Sequence, residues 1–140
     1  MNIHGSCAAR DGAAVLVRGR PGSGKSDLVL RLIDRGFQLV ADDQVVLDGL
    51  VARPPAALAG LVEVRGLGLM RMDFVPAATV RLLVDLDLAP ARLPLPLRDP
   101  ELGVPTIGLD AQAASAPQIV ALALDCALGA ARMHTGAFAA

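Results

Sequence analysis

The sequence has no tryptophan, no tyrosine and only two cysteines, and it has no apolar run long enough to cross a membrane. A membrane-spanning helix needs about 18 or more consecutive apolar residues, whereas the most apolar stretch, residues 119–131, contains Asp125. Two cysteines cannot form a disulfide framework, so we expect Cys7 and Cys126 to be reduced packing residues. The N-terminus shows no secretory signal pattern. These absences predict a cytoplasmic protein.

An excess of basic charge is also missing. The chain has 13 basic and 14 acidic residues and a net charge of −1. Because nucleic acids and anionic membranes are bound through basic surfaces, we expect neither as a partner. Hydrophobic residues form 54% of the 140 residues, which predicts one folded domain over residues 1–140. The 14 glycines and 10 prolines indicate many turns rather than a helical bundle.

Lysine occurs only once, at position 25, whereas the other basic residues are all arginine. Lys25 lies in residues 19–26, GRPGSGKS, which match the phosphate-binding P-loop pattern G-x-x-x-x-G-K-[ST] in full. A strand-like run precedes this segment, and a helix pattern that ends at Gly36 follows it. The alternative is a chance glycine-rich turn between a strand and a helix. The helix is predicted to bury Leu28, Val29, Leu32 and Ile33.

The P-loop pattern predicts what each part of this segment does. Backbone N–H groups surround a β-phosphate, the Lys25 ammonium reaches the β- and γ-phosphates, and the Ser26 hydroxyl binds Mg²⁺. The predicted nucleotide-binding residues are Gly19, Arg20, Pro21, Gly22, Ser23, Gly24, Lys25 and Ser26.

Asp42 and Asp43 end the apolar run 37–41, which is predicted to be a buried strand. Neighbouring residues at a strand end cannot point the same way. One carboxylate can therefore serve a bound Mg²⁺ while the other faces a substrate hydroxyl and accepts its proton. The alternative is that both aspartates only cap the following turn.

His4 and Glu63 are weaker candidates when only their local sequence is considered. A single histidine on an early strand is more often a core or surface residue than a catalytic one. Glu63 could pair with Arg65, two residues away on the same strand face. Gly66-Leu67-Gly68 alone is too short to predict a function.

The order of strand-like and helix-like segments along the chain predicts an α/β domain. It has a mixed sheet that contains antiparallel hairpins, and a helix near each end. Residues 89–105 contain five prolines, which predicts a surface loop that could close over a site. Residues 117–133 are apolar nearly all round and predict a buried helix. The predicted strands cover residues 2–9, 13–18, 37–41, 45–47, 50–53, 61–65 and 79–86, and the pairs 2–9/13–18 and 45–47/50–53 form hairpins.

Four segments, in this order and spacing, resemble the HPr kinase/phosphorylase family: His4-Gly5, the P-loop 19–26 with Asp27, the stretch 36–45 (GFQLVADDQV), and the stretch 61–68 (LVEVRGLG). The last matches the family signature L-x-E-x-R-G-L-G, which ordinary P-loop kinases lack. The resemblance covers roughly residues 3–75. It implies a fold similar to the nucleotide domain of phosphoenolpyruvate carboxykinase.

The resemblance also implies a function, namely an ATP- and Mg²⁺-dependent serine kinase acting on HPr, the small phosphocarrier of the sugar phosphotransferase system. It implies that Lys25 is a catalytic phosphate-binding residue and Asp43 the base that deprotonates the acceptor serine. A homo-oligomer, a hexamer in this family, is implied as well.

Three further roles come only from this resemblance. It implies that Asp42 supports the metal together with Ser26. Glu63 would be a second metal contact, and His4 would be an active-site residue near the transferred phosphate.

The chain departs from the longer family members in two places. They carry an N-terminal domain before the histidine strand, so this chain resembles a short form without regulation through that domain. They also carry an Arg-Pro-Gly-Arg-Asn type loop that supports phosphate-driven dephosphorylation, whereas residues 114–118 here contain no arginine. We therefore expect weak phosphorolysis. A small-molecule P-loop kinase and a non-catalytic nucleotide-binding sensor are the alternatives.

Overall fold

The computed structural model describes residues 1–139, which form ten β-strands, two α-helices and one 3₁₀ helix. The helices are α1 (Lys25–Asp34) and α2 (Ala116–Ala127), and the 3₁₀ turn is Ala56–Leu58. The strands are β1 (Asn2–His4), β2 (Ser6–Arg10), β3 (Ala13–Arg18), β4 (Gln38–Ala41), β5 (Gln44–Asp48), β6 (Val51–Arg53), β7 (Leu61–Val64), β8 (Gly68–Arg71), β9 (Ala78–Asp85) and β10 (Thr106–Gly108).

Eight strands form one sheet in the order β1-β5-β6-β9-β3-β2-β4, with β10 also paired to β9. The pairs β3–β9 and β9–β10 are parallel, and the other pairs in this sheet are antiparallel. A separate antiparallel hairpin joins β7 to β8. The predicted α/β class with a mixed sheet is confirmed, and the sheet is mostly antiparallel.

Both predicted hairpins are present. Asp11 and Gly12 turn β2 into β3 with φ angles of 51° and 81°, as a two-residue turn with left-handed residues requires. Gly49, with φ 59°, connects β5 to β6.

The predicted single strand over residues 2–9 is wrong, because the chain breaks at Gly5. Residues before the break form β1, which pairs with β5 at one edge of the sheet. Residues after it form β2, which pairs with β3 and with β4 at the other edge. A Cβ atom at Gly5 would lie 2.8 Å from the Val17 carbonyl oxygen, so only glycine fits this crossing point. The break places His4 beside the turn that follows β4.

The core lies on both faces of the sheet. Val15 and Val17 of β3 pack against α1 and α2 on one face, whereas Ala14 and Leu16 face the other side. Burial on both faces explains why β3 is a continuous apolar run rather than an alternating one. In α1 the predicted apolar face is confirmed, since Leu28, Val29 and Leu32 are fully buried and Ile33 partly so, and Gly36 (φ 94°) follows the helix end.

The prediction of a buried helix over residues 117–133 is wrong in two respects. The helix α2 ends earlier, at Ala127, and it is buried on only one face. Gly129, with φ 76°, follows the end of α2, where its amide donates to Cys126 O. Only one face is covered by the sheet, so the Leu122 side chain is 61% exposed while Val120 and Leu124 are fully buried. The apolar composition of a helix alone does not indicate how many of its faces pack against other elements. No helix in the described part of the chain is long and apolar enough to cross a membrane.

Candidate active site

A cleft of about 520 Å³ opens where several parts of the fold meet. These are the glycine-rich loop (residues 19–24) with the start of α1, strand β1 and the start of β2, the turn after β4, strand β7, and the segment after β10. Of the sequence-predicted residues, eight line the cleft, whereas Gly19, Arg20, Ser23 and Asp42 do not. The lining ones are His4, Pro21, Gly22, Gly24, Lys25, Ser26, Asp43 and Glu63.

The glycine-rich loop has a conformation that requires glycine. Gly22 and Gly24 have φ angles of 81° and 99°, in the left-handed region that other residues enter only with strain. Gly24 directly precedes α1, and a Cβ atom there would come within 3.3 Å of Ala111. The amide of Ser23 donates to Arg20 O at 3.1 Å and closes the turn.

A carboxylate outside the loop holds its first residues. The Arg20 amide donates to both oxygens of Asp87, at 3.0 and 3.2 Å, and the Leu86 amide donates to Arg18 O at 2.9 Å. Because β3 and β9 are paired, the residues after both strands lie side by side. Sequence analysis missed Asp87, since nothing local to it indicates that its strand neighbours the loop.

Lys25 is nearly buried, with 7% of its surface exposed. Its ammonium donates to Gly19 O at 2.8 Å and to Arg20 O at 3.0 Å. The side chain thus folds over the glycine-rich loop, and the positive charge lies beside the backbone that forms the cleft wall. A lysine ammonium has three donors, so one remains for another acceptor.

The buried carboxylate of Asp42 connects three elements to the turn after β4. Its Oδ1 accepts hydrogen bonds of 2.7 Å from the hydroxyls of both Ser6 on β2 and Ser26 on α1. Its Oδ2 accepts a longer bond of 3.3 Å from the amide of Glu63 on β7. Only 5% of Asp42 is exposed. Ser6 was not predicted, because its proximity depends on how β2 pairs with β4.

Asp43 faces the other way, and its side chain is 64% exposed. Its φ of 68° is unusual for a non-glycine residue. The Gln44 amide donates to Asp42 O at 2.8 Å, which closes a three-residue turn centred on Asp43. Such backbone strain is commonly stored at functional sites.

His4 is the partner of Asp43 at the mouth of the cleft. The two side chains approach to 3.6 Å between His4 Nδ1 and Asp43 Oδ1. The Gly5 amide donates to Asp43 O at 3.1 Å, so the backbone also joins β1 to this turn. The structure therefore brings together two residues that are 39 positions apart in the sequence.

Strand β7 forms the wall next to Asp42. Its residue Glu63 lines the cleft, as does Arg65, which follows the strand. The alternative ion pair between these two side chains is not found among the ion pairs of residues 1–139. Gly66, with φ 83°, and the Leu67 amide, which donates to Val64 O, make the turn from β7 to β8.

Another part of the wall comes from Ala111 and Gln112, which follow β10. Residues 89–105, predicted to be a surface loop that could close over a site, do not line this cleft. They are irregular, as predicted, and border a separate apolar groove that also includes Ile107 and Ala137. The Asp99 carboxylate orders this segment by accepting the amides of Glu101 and Leu102.

The donor set of the cleft fits a nucleotide with Mg²⁺. The Ser23 hydroxyl is enclosed and has no hydrogen-bond partner in the described chain, and the loop glycines leave the backbone accessible. Ser26 and Asp42 provide the oxygen ligands that Mg²⁺ prefers. Among residues 1–139, no group of three or more His, Cys, Asp or Glu side chains is arranged to hold a metal. Mg²⁺ usually takes only one or two carboxylates and completes its shell with substrate phosphates and water.

The sequence and the fold assign the chain to one class of proteins, the HPr kinase family. The chain belongs to the HPr Serine kinase C-terminal domain family, whose profile matches residues 1–82. This confirms the family resemblance seen in the sequence.

Individual relatives agree with this assignment. The HPr kinase/phosphorylase of Geobacillus kaustophilus is 37% identical over 114 residues, which cover 77% of this chain and 36% of the relative. That of Levilactobacillus brevis is 38% identical over 93 residues, which cover 62% of this chain and 30% of the relative. The chain thus spans about a third of the length of these relatives.

A solved structure is similar over almost the whole fold. The Hpr(Ser) kinase/phosphatase from Coxiella burnetii superimposes with a TM-score of 0.74 at 27% sequence identity. The match covers 92% of this chain and 92% of that one. It supports the α/β architecture described above.

Proposed function

We propose that this chain is an ATP- and Mg²⁺-dependent protein serine kinase domain that phosphorylates an HPr-type phosphocarrier of the phosphotransferase system. Family membership supports the reaction class. The observation that carries the mechanism is the different environment of two adjacent carboxylates: Asp42 is buried against the Ser26 hydroxyl, whereas Asp43 is exposed beside His4. One is suited to support a metal and the other to meet a substrate.

The glycine-rich loop and the start of α1 are proposed to form the P-loop that holds the ATP phosphates. The positive end of the helix and the backbone amides favour bound anions. Lys25 would exchange its loop carbonyl partners for phosphate oxygens. The unpartnered Ser23 hydroxyl supplies another donor within the same loop. The proposed nucleotide-binding residues remain Gly19, Arg20, Pro21, Gly22, Ser23, Gly24, Lys25 and Ser26.

Mg²⁺ would be held by Ser26 and Asp42, with Glu63 as a further contact, and it would neutralise charge on the phosphates. Glu63 is exposed in the cleft, and its backbone amide is bound to Asp42. Because Ser6 and Ser26 both bind Asp42 Oδ1, its Oδ2 is the less occupied oxygen.

In the transfer step, Asp43 accepts the proton of the substrate serine hydroxyl. The serine oxygen forms a bond to the γ-phosphorus while the bond from that phosphorus to the β-phosphate bridging oxygen breaks, so ADP leaves. His4, 3.6 Å from Asp43, orients this carboxylate and lies near the transferred group. Asp43 lies in the turn after β4 with a positive φ of 68°, and its side chain is exposed to an incoming substrate.

The proposal treats residues 1–140 as a single catalytic domain acting in the cytoplasm as a homo-oligomer, a hexamer by family resemblance. A phosphocarrier with its serine at the start of a helix suits this cleft, because a helix N-terminus stabilises the negative charge of the new phosphate. The family match does not favour a small-molecule kinase or a sensor without turnover.

The test is to incubate the protein with Mg-ATP and an HPr-type phosphocarrier and to examine the carrier by mass spectrometry. We expect one phosphoserine at a helix N-terminus. A parallel incubation with the Lys25→Met variant controls for contaminating kinases. ATP consumption on a metabolite with an unmodified carrier would support a small-molecule kinase instead. Nucleotide binding without any transfer would support the sensor.

A further inference from the structure

Arg31 on α1 binds a segment about 80 residues away in the chain. Its guanidinium donates to Ala111 O at 2.6 Å, Ala113 O at 2.8 Å and Ala114 O at 3.3 Å. The side chain is 28% exposed, and the Asp27 carboxylate lies 3.8 Å away on the same helix. Thus the closest partners of this charge are backbone carbonyls rather than a carboxylate.

The segment that Arg31 holds, residues 110–114, contributes to the wall of the cleft. Ala111 and Gln112 line the cleft, and Ala111 lies against Gly24 at the end of the glycine-rich loop. Arg31 itself is not among the lining residues. Its contribution to the cleft is therefore indirect, through the backbone that it binds.

Among the described residues, no hydrogen bond other than those of Arg31 joins this segment to α1. Its side chains are mostly alanine, which bury little apolar area. Its internal bonds, from the Gln112 amide to Asp110 Oδ1 and from the Ala113 amide to Asp110 O, shape the turn but do not attach it to the glycine-rich loop. An arginine suits the attachment because its planar fork presents several N–H donors in fixed directions.

We propose that Arg31 is a positioning residue that holds residues 110–114 against the glycine-rich loop, so that Ala111 and Gln112 form the outer wall of the nucleotide site. This inference rests on the proposed nucleotide binding in the cleft. When a binding-competent arrangement is only partly populated, the apparent Kd rises by the inverse of that fraction. Loss of the Arg31 bonds therefore weakens nucleotide binding without removing any group that touches the nucleotide.

The experiment compares wild type with Arg31→Met, Arg31→Lys and Arg35→Met. Arg35 is the matched control, since it is an exposed arginine at the end of α1 with no side-chain hydrogen bond or ion pair within residues 1–139. The first measurement is amide hydrogen exchange of peptides covering residues 109–116 without nucleotide. The second is calorimetric binding of a non-hydrolysable ATP analogue with Mg²⁺.

We expect Arg31→Met to speed exchange in residues 109–116 selectively and to weaken analogue binding about tenfold, the effect of losing charged hydrogen bonds. Arg31→Lys should lie between wild type and Arg31→Met, because one ammonium cannot span three carbonyls. Arg35→Met should match wild type in both measurements. If Arg31→Met does not fold, Arg31→Lys provides the same comparison.

Unchanged exchange and unchanged affinity in the Arg31 variants, with a wild type that binds the analogue, would overturn this inference alone. Faster exchange throughout α1 and β4 as well would also overturn it, because that pattern indicates general destabilisation. A wild type that binds no analogue would instead remove the proposed nucleotide site, and this inference with it.

Discussion

The hydroxyl of Ser26 donates a 2.7 Å hydrogen bond to Asp42 Oδ1 and joins the first turn of α1 to the turn after β4. This bond places the two proposed Mg²⁺ ligands side by side at the start of the helix. The neighbouring Asp43 takes no part in it and lies exposed at the cleft mouth. Adjacent residues of identical chemistry thereby occupy different environments, and their substitutions should have different effects.

Asp42→Asn should weaken Mg²⁺-dependent nucleotide binding, whereas Asp43→Asn should retain binding and lose phosphoryl transfer. Removing the charge at Asp42 lowers its affinity for a cation, and an amide at position 43 cannot accept the serine proton. Asparagine tolerates the positive φ at position 43, so the turn is preserved. Calorimetry with and without Mg²⁺, run beside a transfer assay, separates the two variants. Equal binding losses in both would contradict the assigned roles.

Lys25→Met should reduce phosphoryl transfer by about 100-fold or more, the usual effect of removing one donor to a developing charge. Methionine keeps the apolar stem in its nearly buried position, so the loss is mainly that of the ammonium. Turnover and analogue affinity are the measurements. Normal turnover in this variant would rule out the P-loop interpretation.

The single lysine also allows a chemical version of this test. Acylation of amines should label only Lys25 and the N-terminus, and Mg-ATP should protect Lys25. The N-terminal amine, which donates to Leu47 O, serves as the internal reference and should be labelled equally with and without nucleotide. Equal labelling of Lys25 under both conditions would place the nucleotide elsewhere.

Phosphoryl transfer to the carrier should clearly exceed phosphate-driven release from the phosphorylated carrier. Residues 114–118 contain no arginine to bind inorganic phosphate, and the Arg31 guanidinium beside them already binds carbonyls. Release of pyrophosphate from a phosphoserine carrier, followed at saturating phosphate, measures the reverse reaction. Efficient release would mean that the missing arginine is unimportant.

Cys7 should resist thiol reagents in the native protein, because complete burial raises its pKa to about 12 from 9.0. Labelling at pH 8 should modify Cys126, which is partly exposed, and reach Cys7 only after unfolding. Between pH 9 and 12 the Cys7 thiol loses its proton in the unfolded chain but keeps it in the folded chain. The free energy of unfolding therefore falls as pH rises, by at most about 1.4 kcal/mol per pH unit.

The matched comparison for Cys7 is Cys7→Ala. Urea unfolding at pH 8 and pH 10 should show a larger loss of stability at the higher pH for wild type than for Cys7→Ala. The same loss in both proteins would mean that Cys7 is not the titrating group. Fast native labelling of two thiols would contradict the burial itself.

Local patterns predicted those parts of the site that are continuous in the sequence. The glycine-rich loop, the buried face of α1 and both hairpins depend on spacings within a few residues, and these form as expected. The burial of α2 was not predicted correctly, because an apolar helix pattern does not show which of its faces the sheet will cover. The strand break at Gly5 was also missed, since its cause is the Val17 carbonyl across the sheet.

The sequence by itself determined which groups with phosphate and metal chemistry are available, because a glycine-rich loop ending in lysine and serine and an aspartate pair after a strand are local properties. Only the tertiary structure decided how these groups are arranged. Ser6 reaches Asp42, Asp87 reaches the Arg20 amide, and Arg31 reaches residues 111–114 across 36, 67 and 80 or more positions. Such contacts arise from strand order and helix packing, which bring distant backbone together and leave no periodic trace in the sequence.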